Sequence, residues 1–335
     1  MIKILVTGGG GYIGSNACKQ LLDGGYELVV VDDFSSGYRQ PLELLMKRYG
    51  SKKIRFYARD IREDLSDVFN KEQNIKAVIH YAGVCSVSES MLNPYKYFSV
   101  NTAGTNNLLN QMVKFKIKNI VFSSSCTVYD KATRVPIDEN HPTVPSNPYG
   151  QSKLMSEQIV QWFSKSLGIN YMILRYFNVC GASDNGDFGD SKKPSIHMMQ
   201  NSVRGAMGLE PFFLTSSHVN TQDNTPIRDY VNVVDLNIAH LKALELLLEG
   251  KGNQIINLGT NKGSSVLEII KIVQKITGSK LKINKGVPRL GEYAKITASN
   301  YKAKKLLGWK PQRNLKDSVK SLMCWYTNRP NGWEK

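Results

Sequence analysis

Residues 7–14, Thr-Gly-Gly-Gly-Gly-Tyr-Ile-Gly, constrain the fold of this chain more than any other stretch. They follow a short apolar run at residues 3–7 and open a helical pattern at residues 12–23. Gly8, Gly11 and Gly14 stand three apart. The first two let the main chain turn tightly and approach a pyrophosphate closely, and the third lets helix and strand pack. The N-terminus of that helix adds backbone donors and positive potential at the same spot. A second strand pattern ends in Asp32-Asp33, at the distance expected of an acid that binds a dinucleotide ribose. A carboxylate at Asp32 accepts hydrogen bonds from both ribose hydroxyls and repels a 2′-phosphate, which favours NAD over NADP. Asp60-Ile61, after the third strand, are placed to meet the adenine, although Asp60 reads nearly as well as a helix cap.

Through the first half, short apolar runs alternate with helical patterns, as in a parallel sheet covered by helices on both faces. Strands are expected at residues 3–7, 27–32, 54–58, 77–80, 119–123 and 170–175, and helices at 12–23, 94–114 and 149–167. After Asn178 the composition changes. Gly, Asp, Ser and Pro crowd residues 181–194, which reads as a long functional loop. Residues 231–258 regain a helix-then-strand pattern that returns to the sheet, and helices recur at 265–277 and 315–327. The expected fold class is α/β, a Rossmann-type doubly wound parallel sheet with a smaller, interleaved C-terminal α/β substrate domain. Residues 1–178 form the NAD-binding domain, with 230–260 returning to it, and 179–335 the main part of the substrate-binding domain.

With 335 residues, 41% of them hydrophobic, the chain can bury one large core or two smaller ones. No apolar run reaches the length of a membrane span. The run at residues 2–7 is too short for a signal peptide, and glycines follow it directly. The five cysteines (Cys18, Cys85, Cys126, Cys180 and Cys324) are odd in number and lack metal-ligand spacing. They read as reduced thiols in a cytoplasmic protein that binds no metal. A net charge of +16 would suit a nucleic-acid or membrane partner, but the basic residues are scattered and no aromatic stacking motif accompanies them. The excess is assigned to solvated faces, with neither nucleic acid nor membrane as a partner.

The chemistry points to one further stretch. Ser123, Ser124 and Ser125 close the fifth strand pattern, and Tyr149 and Lys153 follow, four residues apart. That spacing puts both side chains on one helix face. A neighbouring ammonium, with a nicotinamide ring nearby, stabilises a tyrosinate enough for it to act as a base near neutral pH. Tyr49/Lys53 and Tyr301/Lys305 share the spacing in this chain of 16 tyrosines. Tyr149 differs from them by following a dinucleotide signature and a serine-ended strand.

Seven segments carry a family resemblance: TGGGGYIG at 7–14, VIHYAG at 78–83, FSSSCTVY at 122–129, NPYGQSKLMSEQ at 147–158, LRYFNVCGA at 174–182, RDYVNVVDL at 228–236 and NLG at 257–259. In that order they make the chain resemble, from Ile2 to about Trp325, the UDP-glucose 4-epimerases of the extended short-chain dehydrogenase/reductase family. The resemblance implies NAD-dependent interconversion of UDP-glucose and UDP-galactose through a transient 4-keto sugar. It implies that Ser125, Tyr149 and Lys153 are catalytic. Tyr12, Ile13, Asp32, Asp60, Ile61, Tyr81, Asn101 and Phe177 would line the NAD site. Asn178, His197, Arg228 and Arg289 would hold the UDP-sugar, where the planar fork of arginine suits a diphosphate. Ile296 would wall the pocket near carbon two of the sugar, and its intermediate bulk implies weaker activity on the N-acetylated pair. A homodimer through the helices at 94–114 and 149–167 is implied as well.

Three departures stand out. Asp130 replaces a usual glycine, Cys85 stands where a lysine near the cofactor is common, and residues 215–222 are unusually polar. A dehydratase would need an acidic pair beside the catalytic hydroxyl, where this chain has Cys126 and Thr127. A non-catalytic NAD sensor would typically lose the tyrosine or the lysine, and both are present.

Overall fold

The computed structural model describes residues 1–129, 132–287 and 292–333. In chain order the strands are β1 Lys3–Thr7, β2 Glu27–Asp32, β3 Ile54–Ala58, β4 Ile75–His80, β5 Asn119–Ser125, β6 Asn170–Tyr176, β7 Asn178–Cys180, β8 Phe212–Leu214, β9 Ile227–Asn232, β10 Gln254–Leu258, β11 Gly263–Ser265, β12 Ile283–Lys285 and β13 Lys295–Ile296. Seven of them form one sheet in the order β10-β6-β5-β4-β1-β2-β3, and every pairing in it is parallel. The central strands read as apolar runs because both faces are covered. Ile4 and Val6 enter one core with Leu28, Val30 and Ile79, while Leu5 enters another with Val29, Val31 and Val78. The helices Tyr12–Asp23 and Val233–Leu248 cover the first face, and Gly104–Lys114 and Pro148–Leu167 the second.

Chain direction across the sheet reverses between β1 and β4. The carboxyl ends of these strands therefore flank a crevice of the kind that binds ligands in open α/β sheets. Thr7 and His80 close its floor, with 2.6 Å between Oγ1 and Nδ1. After β6 the chain builds a second core around Phe212, Ile269, Leu322 and Trp325. Short strands border it: β11-β9-β13 with β7 beside β9, and the pair β12-β8.

Some expectations need correction. The helix read at 94–114 is three pieces: Pro94–Tyr97, a π-helical turn Phe98–Ala103, and Gly104–Lys114. The wide turn carries Asn101, whose side chain bonds Val84 and Ser152 instead of facing solvent. The 181–194 loop has no helix or strand, yet Ser183, Phe188, Asp190 and Ser191 in it are buried. The Trp325 indole donates to the Asp190 carbonyl at 3.0 Å, and a Cβ on Gly189 would meet the Trp325 ring at 2.5 Å. The helices Gln40–Tyr49 and Met198–Ala206 were not anticipated.

Candidate active site

At the carboxyl end of β1 the chain folds so closely on itself that side chains are excluded. Gly8 adopts φ +73°, and a Cβ on it would meet the Ala82 nitrogen at 2.6 Å. A Cβ on Gly14 would lie 2.1 Å from the Gly8 carbonyl oxygen. Gly14 thus seats the helix on the turn, whereas the contact with the sheet belongs to Gly9, whose Cβ would strike Val30 Cγ1 at 2.5 Å. Gly11 stands at the N-cap of Tyr12–Asp23 with no capping side chain, so that helix end presents backbone donors. Asp32 is buried and accepts from the backbone N–H of Gly10 and of Phe34, both at 2.8 Å. Burial raises its carboxyl above the usual range, opposed by those two bonds. A carboxylate has about four acceptor positions, so the two N–H groups leave room for two ribose hydroxyls. Glycine turn, helix end and acid fit a dinucleotide.

The remaining cofactor candidates surround this crevice unevenly. Asp60 caps no helix; it forms an ion pair with Arg62, which holds its carboxyl below the usual range. Ile61 is buried, and its carbonyl accepts from Asn107 at 2.8 Å. The Tyr12 hydroxyl donates to the Gly181 carbonyl at 2.5 Å, tying the first helix to the loop after β7. Tyr12 packs beside Ile13 against the first core, and the Ile13 carbonyl accepts from Asn237. Tyr81 donates to the Asn237 side chain at 3.0 Å. Phe177 packs with Val128 and Ile137.

The crevice then runs to Ser125, Tyr149 and Lys153. The helix Pro148–Leu167 starts here because the Asn147 side chain accepts from the Gly150 N–H and Pro148 occupies its first position. Tyr149 and Lys153 are 9% and 6% exposed, whereas Tyr301 is 69% exposed and Lys53 lies outside the helix that ends at Tyr49. Burial separates three otherwise identical spacings. The Ser125 hydroxyl lies beside the Tyr149 phenol, accepts from the Thr127 N–H at 3.2 Å, and pairs with the Thr127 hydroxyl at 2.9 Å. The Lys153 ammonium donates to the Ser123 carbonyl at 3.0 Å and lies 5.1 Å from the centre of the Phe122 ring. Burial brings it down to about 8, opposed by Cys85 and Glu157. Burial also pushes the Tyr149 phenol well above its usual range, as does Cys85, while Ser125 draws it down. A cation is needed for this phenol to act as a base near neutrality, and Lys153 sits one helical turn away.

The substrate candidates come from the short strands. Arg228 on β9 lies in register with Ile296 on β13. Its guanidinium donates to the carbonyls of Ile227 and Tyr293 at 3.0 and 2.8 Å and pairs with Glu292 at 3.6 Å. Ile296 packs on the cluster that contains Phe177 and Val128, as does Cys126, next to Ser125. The Asn178 amide donates to the Asp229 carbonyl at 3.2 Å. His197 precedes the helix Met198–Ala206, with its ring 6.1 Å from that of Tyr12. Arg289 and Asp130 lie outside the described residues.

Sequence reasoning missed Tyr38, Tyr176, Lys192 and the pair Glu157–Arg175. Tyr38 bonds the Gly10 carbonyl through its N–H and Ser191 through its hydroxyl. Tyr176 ends β6 beside Ser123. Lys192, from the buried loop, brings its ammonium 3.5 Å from the Cys85 sulfur, at the very position where the resemblance leads one to expect a lysine. Only Glu157 had a readable signal, since it continues the Tyr149–Lys153 face by one more turn. Among the described residues no group of three or more His, Cys, Asp or Glu side chains is placed to hold a metal ion.

Residues 4–259 match the model of the NAD dependent epimerase/dehydratase family. The UDP-glucose 4-epimerases of Streptococcus mutans and Bacillus subtilis are each 40% identical to the chain over 99% of both partners. The crystal structure of UDP-glucose 4-epimerase from Bifidobacterium longum in complex with NAD+ and UDP superposes with a TM-score of 0.93 at 35% identity, covering 99% of this chain and all of that one.

Proposed function

The chain belongs to the NAD dependent epimerase/dehydratase family, and on that footing we propose that Ser125, Tyr149 and Lys153 carry out its reaction, the NAD-dependent interconversion of UDP-glucose and UDP-galactose. The observation that carries the assignment is the burial of this trio in the crevice that begins at the glycine turn. Gly8, Gly11, Gly14, Tyr12, Ile13 and Asp32 hold the dinucleotide's diphosphate and adenosine ribose, with Asp60, Ile61, Tyr81, Asn101 and Phe177 around the remainder. NAD held there would supply the hydride acceptor for carbon four of the sugar and the donor that returns the hydride to the opposite face. Tyr149 takes the proton of the carbon-four hydroxyl and later gives it back. Ser125 holds the same oxygen and steadies the phenol. Lys153 supplies the positive charge that lets a buried phenol ionise. Asn178, His197, Arg228 and Arg289 anchor the nucleotide end, leaving the sugar free to present either face.

Residues 1–178 with 230–260 make the NAD-binding domain and 179–335 mainly the substrate-binding domain, a division supported by the core that the C-terminal part builds around Phe212, Ile269, Leu322 and Trp325. No helix among the described residues is long and apolar enough to cross a membrane, and the five cysteines stand as free thiols, which supports a cytoplasmic location. The working unit is a homodimer. Trp162 is exposed on the helix Pro148–Leu167, where Met155, Ile159 and Phe163 are half-buried, while Leu108, Leu109 and Met112 are spent on the subunit's own core. Sedimentation at micromolar concentration would give a monomer if this assignment were wrong. The reaction itself is tested by mixing the purified protein with UDP-galactose and no added cofactor. UDP-glucose should form; a mixture that stays UDP-galactose overturns the proposal.

A further inference from the structure

We propose that Glu157 is a positioning residue of this site, which together with Arg175 sets the charge of Lys153 and holds the serine strand in line. The inference rests on the reading of Tyr149 and Lys153 as the reacting pair. Three consecutive serines meet three residues at successive turns of one helix. The Ser123 carbonyl accepts from the Lys153 ammonium and the Ser124 hydroxyl donates to the Glu157 carboxylate, with Ser125 beside the Tyr149 phenol. The strand end that presents Ser125 is thus bonded at its two preceding residues to the helix that presents Tyr149.

Glu157 is wholly buried, and its partner Arg175 nearly so. The Arg175 guanidinium donates from Nε at 2.9 Å and again from Nη2 to the two carboxylate oxygens. Its Nη1 donates to the Tyr129 hydroxyl at 2.9 Å, and that hydroxyl donates to Asn257 on β10 at 2.7 Å. A buried ion pair seldom adds net stability over an apolar pair of similar volume, so holding the fold together does not by itself account for this one. Its charges act on Lys153 in opposite senses. The groups facing Lys153 are the Glu157 carboxylate one turn along, Cys85 across the crevice, and His80 at the end of β4. The groups facing Tyr149 are Ser125, Cys85, Tyr176 and Cys126. Cys85 and Glu157 both favour the charged ammonium, and the Arg175 guanidinium paired with Glu157 carries a like charge that works against it. Loss of the Glu157 charge would leave two buried cations and push Lys153 towards the neutral amine.

The test is the alkaline limb of kcat, where turnover falls as Lys153 loses its proton. Glu157→Gln should move its midpoint down by about one pH unit, a roughly tenfold loss on the steep part of the limb. Arg175→Met removes the opposing cation and should move the midpoint up. A merely structural pair would lower the melting temperature of both variants and leave both midpoints in place, and that result overturns the proposal. Shifts in the same direction overturn it too. Either variant decides alone if the other fails to fold. Tyr149→Phe, assayed alongside, separates the two readings: if it is inactive while both midpoints stay put, only the role of Glu157 falls.

Discussion

Around Gly8 and Gly14 the main chain approaches itself so closely that no methyl group fits, whereas around Arg228 the shape is made by a side chain reaching the carbonyls of Ile227 and Tyr293. The first region is backbone against backbone on strands of five and six residues inside a seven-stranded sheet. The second rests on a single six-residue strand, β9, flanked only by β7, β11 and β13, which have three, three and two residues. A cofactor that is regenerated in every cycle needs a fixed, permanent seat. A sugar that must offer both faces needs an anchor at one end and room at the other. The two ends of the crevice are built accordingly, and substitutions should affect them separately.

The largest effect is expected where the ends meet. Tyr149→Phe keeps the ring and removes the proton, so turnover should drop by about a hundred- to ten-thousandfold while NAD content and UDP affinity persist. A near-normal rate would remove Tyr149 from its role. Next comes the rigid end. Gly14→Ala forces a methyl group against the Gly8 carbonyl. Overpacking typically costs about 1–3 kcal/mol, which here should weaken NAD binding by roughly ten- to a hundredfold. Nucleotide analysis of the denatured protein measures it; undiminished NAD content, or a parallel loss of UDP affinity, would break the separation of the two ends.

Ile296→Tyr should act only at the adaptable end. It should lower kcat/KM for the N-acetylated pair by about 10- to 100-fold relative to UDP-glucose and UDP-galactose, the range that modest pocket changes achieve. Equal loss on both pairs would assign Ile296 to packing alone. The last effect is on stability alone and concerns the buried histidines His80 and His240. Burial lowers His80 to about 3 and His240 to about 4, so below pH 6.5 the unfolded chain binds more protons than the folded one. Stability present above pH 6.5 should therefore be lost as the pH falls, by about 1.4 kcal/mol per pH unit for each histidine until its folded pKa is reached. Urea midpoints between pH 7 and 5 that do not fall would show that neither histidine is buried neutral.

The rigid end was the more legible in the sequence, for a physical reason. Buried parallel strands read as apolar runs, so β1 and β2 were bounded to the residue. A glycine turn before a helix likewise leaves its signature in consecutive residues. At the adaptable end β7, β11 and β13 are too short to show a period, and Arg228 and Ile296 came only through the family resemblance. The π-helical turn at Phe98–Ala103 was invisible because its cause is tertiary, the Asn101 side chain reaching Val84 and Ser152. The Glu157–Arg175 pair joins a helix to a strand, and nothing in either segment announces the other.

In the proposed reaction one hydrogen leaves carbon four and returns to the same carbon inside a closed site, with Tyr149 moving only the proton. UDP-galactose carrying deuterium at carbon four, incubated with the purified protein in ordinary water and no added NAD, tests this directly by NMR of the product. The product should be UDP-glucose with the deuterium still on carbon four, and Tyr149→Phe should give none. Loss of the deuterium to solvent would contradict the proposal, since the proton path and the hydride path would then not be separate.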